Sequence, residues 1–150
     1  DVHRLAVGQD FFLGGIQIEH TKGAVGHSDA DVLIHVICDA VLGAANMRDI
    51  GFHFPDTAEK YKGIDSKILL EEVMEIIRSK GFELGNIDST ICLQKPKINP
   101  YIAEMQKALA DCMKVDQEQI SIKATTTEKL GFVGSEDGIS AHAVALLIKA

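Results

Sequence analysis

The alternation over residues 139–148 constrains this chain more than any other stretch. In a strand, residues two apart share a face. Ala141, Ala143 and Ala145 therefore make one face with little side-chain volume, which lets another layer approach closely. Val144, Leu146 and Ile148 make the other face, and it is apolar too. A chain of 150 residues rarely covers both faces of a strand unaided. Subunit packing is the expected cover.

The other elements follow from periodicity and punctuation. Phe11–His20 reads as strand material with an irregularity at Gly14-Gly15. Ser28 or Asp29 can cap a helix running to about Asn46, with Val32, Ile34, Val36, Val41 and Leu42 as its apolar positions. Asp65-Ser66 starts a second helix, buried through Leu69, Leu70, Val73, Ile76 and Ile77, with Gly81 just past its end. Ile87, Ser89, Ile91 and Leu93 alternate with polar neighbours as a half-buried strand does. Pro100 suits the first turn of a third helix carrying Ile102, Met105, Leu109 and Met113. Ile120, Ile122 and Ala124 form a further strand. Helices and strands alternate without strict βαβ units, and no linker or repeat divides the chain. The fold class predicted is α+β: a single domain, residues 1–150, with a mixed β-sheet packed against helices.

Charge and cysteine usage narrow the function. The net charge is -7, with both signs interspersed, so the basic patch that nucleic acid or an anionic membrane surface requires is missing. The apolar runs fall short of the ~18 residues of a membrane span, and no signal-peptide pattern is visible in the sequence. Cys38, Cys92 and Cys112 lie at least twenty residues apart and form no CxxC pair, which argues against a zinc ribbon or disulfide framework. A cytoplasmic protein in a reducing compartment is expected. A small phosphorylated substrate stays compatible, because a metal and a few backbone N–H groups supply local positive charge.

Asp1-Val2-His3 puts a carboxylate and an imidazole on one face of an extended segment. The helix adds His35, with Asp31 and Asp39 one turn to either side. That stripe is either a solvated face with helix-pair hydrogen bonds or the lining of a cleft. An Asp/His/His set leaves one tetrahedral zinc position open for water or a phosphate oxygen, and Asp39 or Asp31 could orient an imidazole. Ser28 and Asp29 read as capping residues, whereas His27 is not needed for that; it could donate to an anion at the helix N-terminus. Thr125-x-x-Glu128 matches a capping box, yet three hydroxyls and a carboxylate at a strand end also suit phosphate and Mg²⁺. Asp49-Ile50-Gly51, Phe54-Pro55-Asp56-Thr57 and Lys95-Pro96-Lys97 are turn and strand-end chemistry, and His20, His53 and His142 are read as structural.

Taken in order, Asp1-x-His3, His27-Ser-Asp-Ala-Asp31-x3-His35, Asp49-Ile-Gly51, Phe54-Pro-Asp56-Thr57 and Ala124-Thr-Thr-Thr-Glu-Lys-Leu-Gly-Phe132 resemble the 2-C-methyl-D-erythritol 2,4-cyclodiphosphate synthase family. The resemblance runs from Asp1 to the final strand. It implies a homotrimer with active sites between subunits, and a phosphorus–oxygen lyase of the non-mevalonate isoprenoid precursor pathway. The substrate implied is 4-diphosphocytidyl-2-C-methyl-D-erythritol 2-phosphate, whose 2-phosphate attacks the β-phosphorus so that CMP leaves. By motif, Asp1, His3 and His35 would bind Zn²⁺ or another divalent transition metal, and Glu128 would bind Mg²⁺ or Mn²⁺ with the diphosphate. His27 and Thr126 would stabilise the transition state. Asp49, Ile50, Gly51, Phe54, Pro55, Asp56, Thr57 and Ala58 would line the erythritol part. Leu93, Gln94, Lys95, Pro96, Lys97, Ile98 and Asn99, with Thr125, Thr126 and Thr127, would hold the cytidine diphosphate. Asp1, His3, His27, Ser28, Asp39, Glu128 and Phe132 complete the implied substrate contacts.

Two departures stand out. Many members of that family carry an Arg near the trimer axis, linked to an anionic ligand of the central cavity, where Ser135 stands here. Members also have a short strand before the position of Asp1, so further residues are expected to precede it. Two other readings of the residues differ in outcome. A zinc phosphoesterase would release inorganic phosphate, whereas a non-catalytic trimeric module with a structural metal would need a fourth ligand beside the three found.

Overall fold

The structure, a computed structural model, describes residues 1–150. Strand β1 (Val2–Val7) pairs antiparallel with β4 (Lys22–Ala24) on one side and with β7 (Gly138–Lys149) on the other. β7 then runs antiparallel along β5 (Phe82–Cys92), and β5 pairs parallel with β6 (Ile120–Thr125). The sheet is therefore mixed, in the order β4-β1-β7-β5-β6, as the irregular alternation of elements predicts. A parallel neighbour requires a crossover, and α4 (Ile102–Met113) supplies it. The irregularity expected at Gly14-Gly15 is the turn of a separate hairpin, β2 (Phe11–Leu13) with β3 (Ile16–Ile18). Both glycines have positive φ, 62° and 81°, which a two-residue hairpin of this hand demands.

Three helices cover the sheet. The first, α1 (Val32–Ala44), starts later than the expected cap: neither Ser28 nor Asp29 caps it, and Asp31 Oδ1 accepts from the Ile34 N–H at 3.0 Å instead. Helix α3 (Ser66–Ser79) begins where predicted, with Asp65 accepting from the Lys67 N–H, and Gly81 follows its end at φ 88°. Pro100 lies in a single 3₁₀ turn, Asn99–Tyr101, that leads into α4. Two four-residue helices, α2 (Ile50–His53) and α5 (Gly131–Gly134), follow α1 and β6 respectively. Leu33, Ile37, Leu70, Ile77, Ile87 and Ile91 are fully buried in the resulting core. Each such side chain contributes about 1.5–3 kcal/mol.

The alanine face of β7 is where α1 packs, with Ala141 fully buried. The opposite face has no cover in this chain: Val144, Leu146 and Ile148 are 74%, 60% and 56% exposed. No helix is long and apolar enough to cross a membrane.

Candidate active site

Pairing of β1 with β7 places Asp1 and His3 on the same side of the sheet, where α1 brings up His35 one turn after its cap. His3 Nε2 lies 3.0 Å from Asp1 Oδ2, and His35 Nδ1 lies 3.5 Å from the same oxygen. The three donor atoms all lie within 4.8 Å of one another. Tetrahedral zinc with bonds near 2.0–2.1 Å places its donors about 3.3 Å apart, so the cluster needs little adjustment to hold a cation.

Each imidazole is oriented through its other nitrogen. His3 Nδ1 is 2.7 Å from the Ala30 carbonyl, which can only accept, so the proton is on Nδ1 and the Nε2 lone pair faces Asp1. His35 Nε2 contacts the hydroxyls of Ser66 at 3.0 Å and Ser28 at 3.1 Å. Burial lowers the pKa of both histidines below its ordinary value; for His35, the neighbouring His3 adds to the effect. The neutral form, which is the one that ligates a metal, is thereby favoured.

Neither Asp31 nor Asp39 orients an imidazole, contrary to the sequence expectation. Asp31 is fully buried, and its carboxylate accepts from the N–H groups of Gly14, Gly15 and Ile34 at 2.9, 2.8 and 3.0 Å. It ties the hairpin turn to the start of α1. Burial raises its pKa, and those N–H bonds oppose the rise. At the helix N-terminus the buried carboxylate takes up one of the first N–H groups, that of Ile34. Asp39 Oδ1 accepts from the Ile50 N–H at 2.8 Å and holds the start of α2.

The cluster opens into a cavity of about 420 Å³. Asp1, His3, His27, Ser28, His35 and Asp39 line it, together with Ile50, Gly51, Phe54, Pro55 and Asp56. Asp49, Thr57 and Ala58 do not line it, but His27 Nε2 donates to the Ala58 carbonyl at 3.0 Å. Tyr61, Ile64 and Leu69 also line the wall and escaped the sequence reading. Tyr61 meets Phe54 edge-on at 5.6 Å, a packing contact that leaves no local signature.

A second cleft, about 180 Å³, lies between the end of β5 and the end of β6. Leu93, Gln94, Pro96, Lys97, Ile98, Asn99, Thr125 and Thr126 line it, with Ala124 in addition; Lys95 and Thr127 do not. The two cavities share no residue, so one chain does not bring Thr126 to the Asp/His/His cluster. Glu128 and Phe132 belong to neither. The capping box at Thr125 and Glu128 does not form: the Thr125 hydroxyl donates to the Thr126 carbonyl, and the next helix starts only at Gly131. Glu128 adopts the left-handed region at φ 54°, and its N–H donates to Thr126 Oγ1 at 3.2 Å.

The model of the YgbB family matches residues 1–148 of this chain. The chain belongs to the YgbB family. A relative in Porphyromonas gingivalis, named 2-C-methyl-D-erythritol 2,4-cyclodiphosphate synthase, is 64% identical over 150 residues, covering 100% of this chain and 93% of its own length. Among solved structures, the bifunctional IspDF of Campylobacter jejuni matches with a TM-score of 0.96 at 41% identity. All of this chain is covered there, but it spans only 41% of that longer protein. A 2C-methyl-D-erythritol-2,4-cyclodiphosphate synthase in its CDP-bound form matches with a TM-score of 0.90 at 33% identity, over 99% of this chain and 96% of that one. The α+β fold with its mixed sheet is thus the fold of this YgbB family member and of its solved relatives.

Proposed function

We propose that this chain converts 4-diphosphocytidyl-2-C-methyl-D-erythritol 2-phosphate to 2-C-methyl-D-erythritol 2,4-cyclodiphosphate and CMP, in the non-mevalonate route to isoprenoid precursors. It acts as a phosphorus–oxygen lyase of the bacterial cytoplasm. The observation that carries the reading is a three-donor cluster opening into a cavity, in a chain whose whole length matches synthases of that name. An oxygen of the 2-phosphate forms a bond to the β-phosphorus, and the bond from that phosphorus to the bridging oxygen of CMP breaks. The nucleophile is already anionic and intramolecular, so the protein needs no strong base and mainly positions two phosphates.

With a chain charge of -7, the repulsion between those phosphates must be cancelled locally. Zn²⁺ or a similar cation at Asp1, His3 and His35, and Mg²⁺ or Mn²⁺ at Glu128, would supply Lewis-acid stabilisation worth several kcal/mol. The chain's own groups orient the substrate. Thr126 Oγ1 accepts from the Glu128 N–H, which leaves its hydroxyl proton free to donate to a phosphate oxygen. His27 has committed Nε2 to the Ala58 carbonyl, so it reaches a phosphate through Nδ1 when that nitrogen is protonated. The cavity beside Ile50, Gly51, Phe54, Pro55 and Asp56 takes the erythritol part, and the cleft at Leu93 to Asn99 and Thr125 to Thr127 takes the cytidine diphosphate.

Two separate half-sites and one uncovered apolar strand face support a homotrimer in which each site joins the cavity of one subunit to the cleft of its neighbour. Light scattering should then report about three times the 16.3 kDa chain mass. A stable and active monomer would rule out the shared site.

Incubating the protein with the cytidylylated substrate, Mg²⁺ and zinc tests the reaction directly. CMP and the cyclic diphosphate should appear in equal amounts. Inorganic phosphate in place of the cyclic product would mean that the metal activates water, as a phosphoesterase does.

A further inference from the structure

We infer that Ser66 and Asp29 are positioning residues that lock His35 into the tautomer able to bind metal through Nδ1; this rests on the metal-site reading above. Ser66 is the first residue of α3, and it is fully buried. Asp65 already caps that helix, so the hydroxyl of Ser66 is not needed for capping. A buried hydroxyl without a partner is unfavourable, yet this one has two. It donates to Asp29 Oδ1, and it lies 3.0 Å from His35 Nε2.

The proton count decides the direction of the chain. An ionised Asp29 can only accept, and its other oxygen already accepts from the Ser66 N–H at 2.9 Å. A serine hydroxyl has a single proton, and here it goes to Asp29. Towards His35 the oxygen of Ser66 can therefore only accept, so Nε2 must carry the hydrogen. The lone pair is then on Nδ1, the nitrogen that faces Asp1. Asp29 is itself fixed by the Asp31 N–H at 3.1 Å, and its own N–H donates to the Ile64 carbonyl. The relay thus ties three segments of the chain to one imidazole. Ser28, at 3.1 Å from the same Nε2, has no carboxylate behind it to fix its proton; its oxygen accepts from the Ala30 N–H and has a second lone pair with which to share the Nε2 hydrogen.

An outer partner of a ligating histidine typically changes metal affinity by about 10–100-fold. Zinc alone, titrated against a competing chelator, should bind Ser66→Ala about 10–100-fold more weakly than the unaltered protein, and Ser66→Thr should restore most of the loss. Nitrogen-15 imidazole spectra of the metal-free, unaltered protein should show His35 protonated on Nε2, with a mixture of tautomers in Ser66→Ala. Unchanged zinc affinity in a folded Ser66→Ala would overturn the inference. So would His35 protonated on Nδ1 in the unaltered protein, a result that does not depend on the variant folding. Stoichiometric zinc in the unaltered protein, lost in His35→Ala, establishes the metal site whatever Ser66 does. No zinc binding at all by the unaltered protein would bring down the metal-site reading and the relay with it.

Discussion

Replacing Glu128 by Gln should lower turnover about 100-fold or more while the chain stays folded. Glu128 is exposed, and its carboxylate has no hydrogen-bond or ion-pair partner within the chain. Gln has the same shape to Cβ and beyond, so it meets the left-handed backbone at φ 54° no less easily than Glu does. The N–H that bonds Thr126 is retained in the variant. The melting temperature should therefore move by no more than a few degrees, and the metal at Asp1, His3 and His35 should stay bound. What changes is the charge. A hard cation such as Mg²⁺ prefers an anionic carboxylate to a neutral amide, and a 100-fold loss corresponds to about 2.7 kcal/mol of transition-state stabilisation. Turnover within a factor of two of the unaltered enzyme would reduce Glu128 to a turn residue.

The elements legible in the sequence are those whose pattern is long enough to show a period. The alternation in β5, β6 and β7 and the apolar stripe of α3 gave sheet and helix correctly. Strand β4 has three residues, too few for any period to show, and it was missed. The start of α1 failed for a different reason. Ser28, Asp29 and Asp31 are all good capping residues, and what selects Asp31 is the pair of N–H groups at Gly14 and Gly15, which are distant in sequence. The capping box failed because Glu128 and Lys129 both adopt positive φ, a conformation that neither residue type announces. The Asp/His/His cluster was legible because two of its members share a strand face and the third lies on the most apolar helix. The groups that orient those histidines were not. One is the backbone carbonyl of Ala30, which has no sequence signature, and the other is Ser66, thirty-one residues from His35.

His35→Ala should drop bound zinc well below one per chain and cut turnover at least 100-fold. The remaining carboxylate and imidazole offer two donors where three converge now. The effect on the fold should be modest, and the hydrogen bonds around the imidazole show why. Ser66 keeps its bond to Asp29, and Ser28 keeps the Ala30 N–H, so neither hydroxyl is stranded when the ring is removed. The loss is then a small cavity and two hydrogen bonds, about 1–3 kcal/mol, against which removal of a desolvated imidazole returns part. For a chain of this length, that is a fall of roughly 2–10 °C in the melting temperature of the metal-free protein. The variant should thus remain folded while losing its metal, so metal analysis on the purified protein separates the two effects. Stoichiometric zinc with normal turnover in His35→Ala would leave His35 as one more side chain on the face of α1, and the Asp/His/His site would have to be abandoned.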